Sequence, residues 1–497
     1  MNPQINREIL LERVQNQTRL AVIEDRRLCE IHYERGSQAK LAGNIYAARV
    51  QNVLPGMNAA FVDIGLNKNG FLYAGDICLD TRDQQELRDQ LERARIERML
   101  RPGQMIVVQV AKEPGGGKGP RLSGNLSLPG RLTVLLPTLR YAGVSKKIPA
   151  GEERDRLFGV AKALSEESGA GVIIRTAGEC ADEAQLRADY ARLLRDWKRI
   201  ETDAAHRAQP GLIQPDGDLV LQAVREMLDE DVKRVRTDDP EIYDRLRACA
   251  RALTPALEER IELAQGDAPL FDLLRVDHQM ESALERRVYL KSGGTLVIDE
   301  TEALTVIDVN TAKFTGKQSL QDTIFRLNCE AAAEIARQIR LRDLGGIIII
   351  DFIDMSGAEA REKLLNALRE ALAGDRNRTN VLGMTQLGLV EMTRKKVRRP
   401  LSRQLMRDCT ACLGSGREWT YESVAYRAVR ELWRRRRMGD RTAYRIETGE
   451  QTAAWIARIG LPEGGEARVC VRGDGRDFEI LPDERGGNGA NGNEEQL

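Results

Sequence analysis

The sequence predicts a multidomain α+β protein, and three observations carry that prediction. Two short apolar runs, 304–309 and 347–350, each meet an aspartate at the C-terminal end, Asp308 and Asp351, and a stretch with helical periodicity lies between them. From Gly43 onward, short strand-like runs alternate with Pro and Gly turns. Segments 183–208 and 219–265 are dominated by Ala, Leu, Arg and Glu, the composition of charged helices. A chain of 497 residues is long enough to build several separate cores.

Taken in order, residues 7–34 alternate apolar and polar in places, as antiparallel strands around a turn at 24–27 would. They are too short to fold alone and are expected to complete a sheet with a later segment. Runs 44–50, 59–64, 70–73 and 105–110 read as strands, interrupted by Pro55-Gly56, by the polar turn 65–69 and by a charged helical insertion at 82–100. Short strands with Gly-rich turns fit a small OB-type barrel. Aromatics make up only 4% of the chain, so Phe61 and Phe71 carry weight. On an outer face beside Lys112 and Lys118 they would form a stacking platform for single-stranded bases; inside the barrel they would be core. Spacing alone leaves both readings open. Residues 125–216 read as mixed α/β, and the strand at 171–174 runs into a polar turn that sets Arg175 and Thr176 at its end. A planar guanidinium beside a hydroxyl suits a phosphate.

A helix at 277–290 is predicted to lead through Ser292-Gly-Gly into a strand at 295–299, which a short turn joins to the Asp308 strand. That pair is expected to be antiparallel and the sheet mixed. The helix at 319–344 places Ile324, Leu327, Ala331, Ile335 and Ile339 on one face, and Gly345 and Gly346 are expected to stop it. The edge of an α/β sheet where strands end is where sites form. Asp308 and Asp351, with Asn310 beside the first, could hold Mg2+, which takes few protein carboxylates and keeps several waters. The alternative is that both aspartates merely end strands.

Lys plus Arg and Asp plus Glu each number 76, so net charge excludes nothing. Local charge is more informative: 394–407 holds seven basic residues and no acidic one, and 434–437 is four arginines in a row. Both suit a phosphate backbone, and both also suit a solvated helix face. No run approaches the roughly 18 apolar residues of a membrane span, and a cytoplasmic protein is expected. The three histidines form no H-E-x-x-H motif, which points any hydrolysis toward a carboxylate-held metal. Of eight cysteines, only Cys409 and Cys412 are close together. A C-x-x-C pair can be a redox motif, half a zinc site or two unrelated thiols. Gly414 and Gly416 give it the texture of a zinc knuckle. Structural Zn2+ wants four ligands, and the simplest completion is the same pair from a second chain. Beyond it, 419–482 reads as a helix followed by one or two strands, and 485–497 as a disordered Gly/Asn/Glu-rich tail.

Several segments together resemble the ribonuclease E/G family of bacterial endoribonucleases. They are Gly43-Asn-Ile-Tyr, Ala59-Ala-Phe-Val-Asp, Ile174-Arg-Thr-Ala, Ile307-Asp-Val-Asn, the long block 340–355 and Gly388-Leu-Val-Glu-Met-Thr-Arg-Lys. The long block is the most specific. The family's C-P-x-C motif stands here as Cys409-Thr-Ala-Cys412, which keeps both thiols. The resemblance implies an RNase H-like domain (1–37 with 217–285) interrupted by an S1-type RNA-binding barrel (38–124) and a 5′-sensor domain (125–216). A DNase I-like catalytic domain (286–404), a zinc link (405–417), a small C-terminal domain (418–484) and the tail would follow. It implies that Asp308 and Asp351 hold Mg2+, that Asn310 supports the scissile phosphate, and that Phe61, Phe71 and Lys118 bind RNA. Gly130, Val134, Arg175 and Thr176 would read a 5′-monophosphate, and Cys409 and Cys412 would share Zn2+ between chains of a homodimer, with a tetramer left open. The expected activity is Mg2+-dependent cleavage of single-stranded, A/U-rich RNA, in ribosomal RNA 5′-end maturation and messenger RNA decay. An RNA-binding scaffold with structural aspartates and a DNA-directed nuclease on the same sheet are the rival readings.

Overall fold

The computed structural model describes residues 6–36, 41–77, 95–114, 119–266, 268–311, 320–410, 412, 414, 416–464, 466–472 and 477–483. The chain divides into two compact units, 1–404 and 405–497.

In the first unit, strands Arg7–Val14, Gln17–Glu24 and Arg27–Arg35 form an antiparallel meander. Asp25 and Arg26 both adopt left-handed backbone (φ 48° and 65°), as a two-residue hairpin turn requires. The free edge of the first strand pairs in parallel with Val232–Thr237, which in turn pairs with Ile261–Leu263. Segment 219–265 is therefore not all helix, as its composition predicted. Its helices, Leu219–Gln222 running into a π-turn and Pro240–Leu253, flank a strand in which pairing to an open edge outweighs local helix propensity. Ile9, Leu11, Leu20 and Val22 pack against those helices.

Strands Ile45–Leu54, Ala59–Asp63, Gly70–Tyr73, Arg121–Ser123 and Met105–Lys112 follow one another around a closed five-stranded barrel, with Gly211–Gln214 added outside. The first strand closes the ring by pairing with both neighbours. Such a barrel is consistent with an OB or S1-like domain. Tyr46, Val50, Val62, Leu72, Val110 and Leu122 fill it. Most of the predicted insertion at 82–100 lies outside the described residues, which hold one helical turn, Ile96–Met99. A four-stranded sheet follows, built from Leu128–Pro129, Thr133–Leu136, Gly171–Ile174 and Ala142–Val144. Helices Glu152–Ser168 and Glu183–Ala205 contribute to its core.

The last sheet of this unit runs Arg287–Tyr289, Thr295–Glu300, Leu304–Asn310, Gly346–Asp351, Val390–Arg394, Thr379–Met384. It is mixed: among its described strands only Leu304–Asn310 and Gly346–Asp351 pair in parallel. The helix predicted at 277–290 ends at Ser282, because Arg287–Tyr289 is drawn into a hairpin with Thr295–Val297 across Gly293-Gly294. Helix Leu320–Leu341 crosses between the two parallel strands and buries Leu327, Ala331, Ile335 and Ile339. Truncating Ile335 would cost about 2–5 kcal/mol. The helix is stopped by Asp343, not by the glycine pair. Asp343 turns left-handed (φ 50°), and the Leu344 amide closes back on the Ile339 carbonyl at 3.0 Å. Gly345 and Gly346 instead make room for Lys396, whose side chain a Cβ at either position would meet at 2.9 or 2.6 Å.

In the second unit, helix Tyr421–Arg437 packs with helix Glu450–Ile459 and a sheet ordered Ala467–Val471, Tyr444–Thr448, Phe478–Pro482. The sequence reading missed the second helix and one strand. The tail at 485–497 lies outside the described residues. Among the described residues no helix is long and apolar enough to cross a membrane.

Candidate active site and RNA interface

Alternation along the two parallel strands decides where the carboxylates go. In Leu304–Asn310, Thr305, Ile307 and Val309 face the core, so Asp308 and Asn310 face away from it. In Gly346–Asp351, Ile348 and Ile350 are buried, so Asp351 also faces out. The register sets Asp308 directly opposite Asp351. The Asn310 amide donates to Asp308 Oδ2 at 2.7 Å. Partial burial pushes the Asp351 carboxyl up, and the negative charges of Asp308 and Asp354 add to that rise. A divalent cation would relieve this repulsion, and two carboxylates with room for water are a donor set suited to Mg2+. Among the described residues no three His, Cys, Asp or Glu gather into a metal cage.

Two residues here escaped sequence reasoning. Asp354 is one; the other is Asn328, fully buried on the crossing helix. Its amide donates to the Ile353 carbonyl at 2.8 Å and accepts from the Ile353 amide at 3.2 Å. It thereby pins the loop that follows Asp351 and carries Asp354. A lone Asn among Leu and Ala on a helical face was the available signal.

On the barrel, Phe61 and Phe71 stand opposite one another in register and pack edge-to-face with centroids 5.5 Å apart. Phe61 is 37% exposed and neither ring belongs to the barrel core. Tyr73, read from the sequence only as the end of a strand, continues the row at 4.6 Å from Phe71, with Arg121 over its ring at 5.0 Å. Lys118 lies outside the described residues; Lys112 is exposed.

Gly130, Val134, Arg175 and Thr176 come together on adjoining segments of the four-stranded sheet. The Arg175 amide donates to Leu132 O, and Val134 sits opposite Ile173. The Arg175 guanidinium donates to the Gly130 carbonyl and to Glu226 from the π-turn at 223–227. Burial would raise the Glu226 carboxyl, but Arg175 and Arg225 hold it below the usual carboxylate range. Thr176 is exposed, its hydroxyl 3.1 Å from that of Ser145. Gly130 has a steric reason: a Cβ would fall 2.5 Å from Asp189 Oδ2. That carboxylate organises the turn by accepting from the Leu132 and Thr133 amides and the Thr133 hydroxyl at 2.9–3.0 Å.

A profile of the ribonuclease E/G family matches residues 127–397, a span that contains Arg175, Asp308 and Asp351. The chain is 42% identical to ribonuclease G of Haemophilus influenzae over 432 residues, 86% of this chain and 87% of that one. It is 43% identical to ribonuclease G of Escherichia coli K12 over 436 residues, with the same coverage of each. This chain belongs to the ribonuclease E/G family. Ribonuclease E of Haemophilus influenzae is 36% identical over 83% of this chain but only 44% of its own length.

This ribonuclease E/G family member splits its basic runs between interior and surface. Arg394 is buried and bonds Asp375, Asp343 and the Leu344 carbonyl at 2.6–3.2 Å. Arg398 contacts His32, whereas Lys395, Lys396 and Arg399 are exposed. In the second unit, Cys409 is exposed and Cys412 half-buried. The Gly416 amide donates to Cys412 Sγ at 3.4 Å, with Gly414 and Gly416 both left-handed, so the turn presents sulfur as an acceptor. Each chain offers two thiols here, half of a tetrahedral zinc set.

Proposed function

We propose that this chain is an endoribonuclease that cuts single-stranded RNA with Asp308 and Asp351 holding Mg2+. The observation that carries the reading is the in-register carboxylate pair, with Asn310 bonded to the first member. Bound there, Mg2+ would supply an acidified water and neutralise charge on the phosphoryl oxygens. The chain's own residues do the rest. The Asn310 amide orients Asp308 and has a second N–H for a phosphate oxygen. Asn328 fixes the loop behind Asp351. Phe61, Phe71 and Tyr73 stack bases, joined by Lys118, so the strand is held before it reaches the carboxylates. Attack of water on phosphorus with departure of the 3′ oxygen leaves a 5′-phosphate and a 3′-hydroxyl. Arg175, Thr176, Gly130 and Val134 form the pocket for a 5′-monophosphate. Membership of the family supports this reading and its extension to A/U-rich sites in ribosomal RNA precursors and messenger RNA. The family resemblance and the Cys412 turn support a homodimer joined by Zn2+ on Cys409 and Cys412 of both chains, and the order of domains given by the resemblance fits the separate cores.

The test is incubation of the purified protein with a 5′-monophosphorylated, A/U-rich RNA oligomer and its DNA counterpart, with and without Mg2+. RNA cut only with Mg2+, and DNA left whole, is expected. Binding without turnover would favour a scaffold, and equal cutting of DNA would favour a general nuclease.

A further inference from the structure

Helix Tyr421–Arg437 has six arginines and two glutamates, and the fold sorts them. Val424, Ala425, Ala428 and Leu432 face the core of the second unit. Arg436 is buried and donates to the carbonyls of Asp440, Thr442 and Glu466 at 2.8–3.0 Å, so it serves the fold. Arg435 lies over the Tyr444 ring at 4.9 Å. The opposite face is another matter. Tyr426, Arg427, Arg430, Trp433, Arg434 and Arg437 are all exposed on it, at helical spacings of three, four and seven. Trp433 is 51% and Tyr426 48% exposed, although the chain has only four tryptophans. Arg437 stands over Trp433 at 5.3 Å, and Arg427 over Trp419 at 5.1 Å. The acidic groups of the helix itself are Glu422, in the first turn, and Glu431, which pairs with Arg434 and Arg435.

A solvated helix face has no need of half-exposed indole and phenol rings, and an apolar docking face would not be lined with guanidiniums. Arginine interleaved with aromatic rings is the chemistry of a single-stranded nucleic acid: the cations meet phosphates and the rings stack on bases. Tyr426 and Trp433 are two turns apart, about 10 Å along the axis, so each can take a separate base. We infer that this face of the Tyr421–Arg437 helix is a second single-stranded RNA-binding surface, carried by the second unit.

The experiment measures binding of a long, unstructured RNA to the full-length protein without Mg2+, so it does not depend on the catalytic reading. Replacing Arg430, Arg434 and Arg437 by Gln should lower the slope of log affinity against log salt by about 2. Trp433→Ala should weaken binding about 10-fold, and Trp433→Tyr should restore it. Ultraviolet crosslinks from the RNA should map to Tyr426 and Trp433. Unchanged affinity and slope in the triple variant would overturn the inference. So would an effect of the arginines without one of Trp433, which would mark a generic polyanion surface. A fall in protein mass by light scattering in the variants, with RNA affinity unchanged, would mark instead a contact between copies of the chain.

Discussion

Asp308 and Asp351 stand side by side because theirs is the parallel pair of an otherwise antiparallel sheet, among its described strands. Parallel register brings two strand ends to one edge, and the crossing helix that makes this connection supplies Asn328 to hold the loop beyond.

Asp308→Asn and Asp351→Asn keep shape but remove a metal-holding charge. Each is expected to lower cleavage at least about 100-fold, given that charge stabilisation by a metal is worth several kcal/mol. RNA affinity without Mg2+ should hold. Near-normal turnover in both variants would sink the assignment.

Arg175 is fixed between the Gly130 carbonyl and Glu226. Arg175→Ala should erase a preference for 5′-monophosphorylated over 5′-hydroxyl substrate, a loss of about 10-fold or more for a charged hydrogen-bonded contact. Glu226→Ala should blunt the preference less, by freeing the guanidinium. Competition between the two substrates in one tube reads both effects, and an unchanged ratio in each variant places the pocket elsewhere.

If Cys409 and Cys412 share Zn2+ across a dimer, replacing both by Ser should remove zinc and lower mass together. Metal analysis and light scattering on the same sample check this. One zinc retained per monomer, or an unaltered dimer, would refute the shared site.

Arg340 is buried between Glu24 and Glu30, tying the first sheet to the crossing helix. Burial opposes ionisation of both carboxyls, but Arg340 at Glu24, and Arg376 with His32 and Arg340 at Glu30, hold them below the usual range. This stabilisation is present above about pH 4.3 and is lost as pH falls through the lowered values. His32 works over a higher range. Burial, then Arg398, pushes it down to about 4, so the folded state keeps it neutral while the unfolded chain takes up a proton below about pH 6.5. Urea unfolding should therefore show stability falling from mildly acidic pH onward, and Arg340→Ala should cost about 3–5 kcal/mol at neutral pH. Flat stability down to about pH 4 would contradict the His32 part.

What could be read from the sequence depended on whether the signal was local. The buried face of Leu327, Ala331, Ile335 and Ile339 was legible because helical period is written in the order of residues. Asp308 and Asp351 were legible as a pair of strand ends joined by a helix, but their register was not, since it is set by how that helix packs on the sheet. Strand Val232–Thr237 was hidden, because its Lys and Arg speak for helix and its pairing partner lies at Arg7–Leu11. Asp239, which accepts from the Ile242 amide ahead of Pro240, was a boundary signal available to a closer reading. Nothing in a run such as 394–399 or 434–437 tells which arginine turns inward. Arg394 and Arg436 do so because carboxylates or carbonyls distant in sequence meet them there.

The pairing of Arg7–Val14 with Val232–Thr237 also sets an order of events during synthesis. The meander emerges ahead of its partner strand, so its open edge waits for more than 200 further residues, and a loop that long closes slowly. Meanwhile the barrel and the sheet after it carry their own cores and can consolidate. The meander thus leaves the ribosome before the barrel but is secured after it, and until then it exposes an apolar strand edge. Ribosome-bound chains arrested before residue 232 should show amide protection in the barrel and little in Arg7–Val14. Full protection of that strand at this stage would show that it finds a temporary partner.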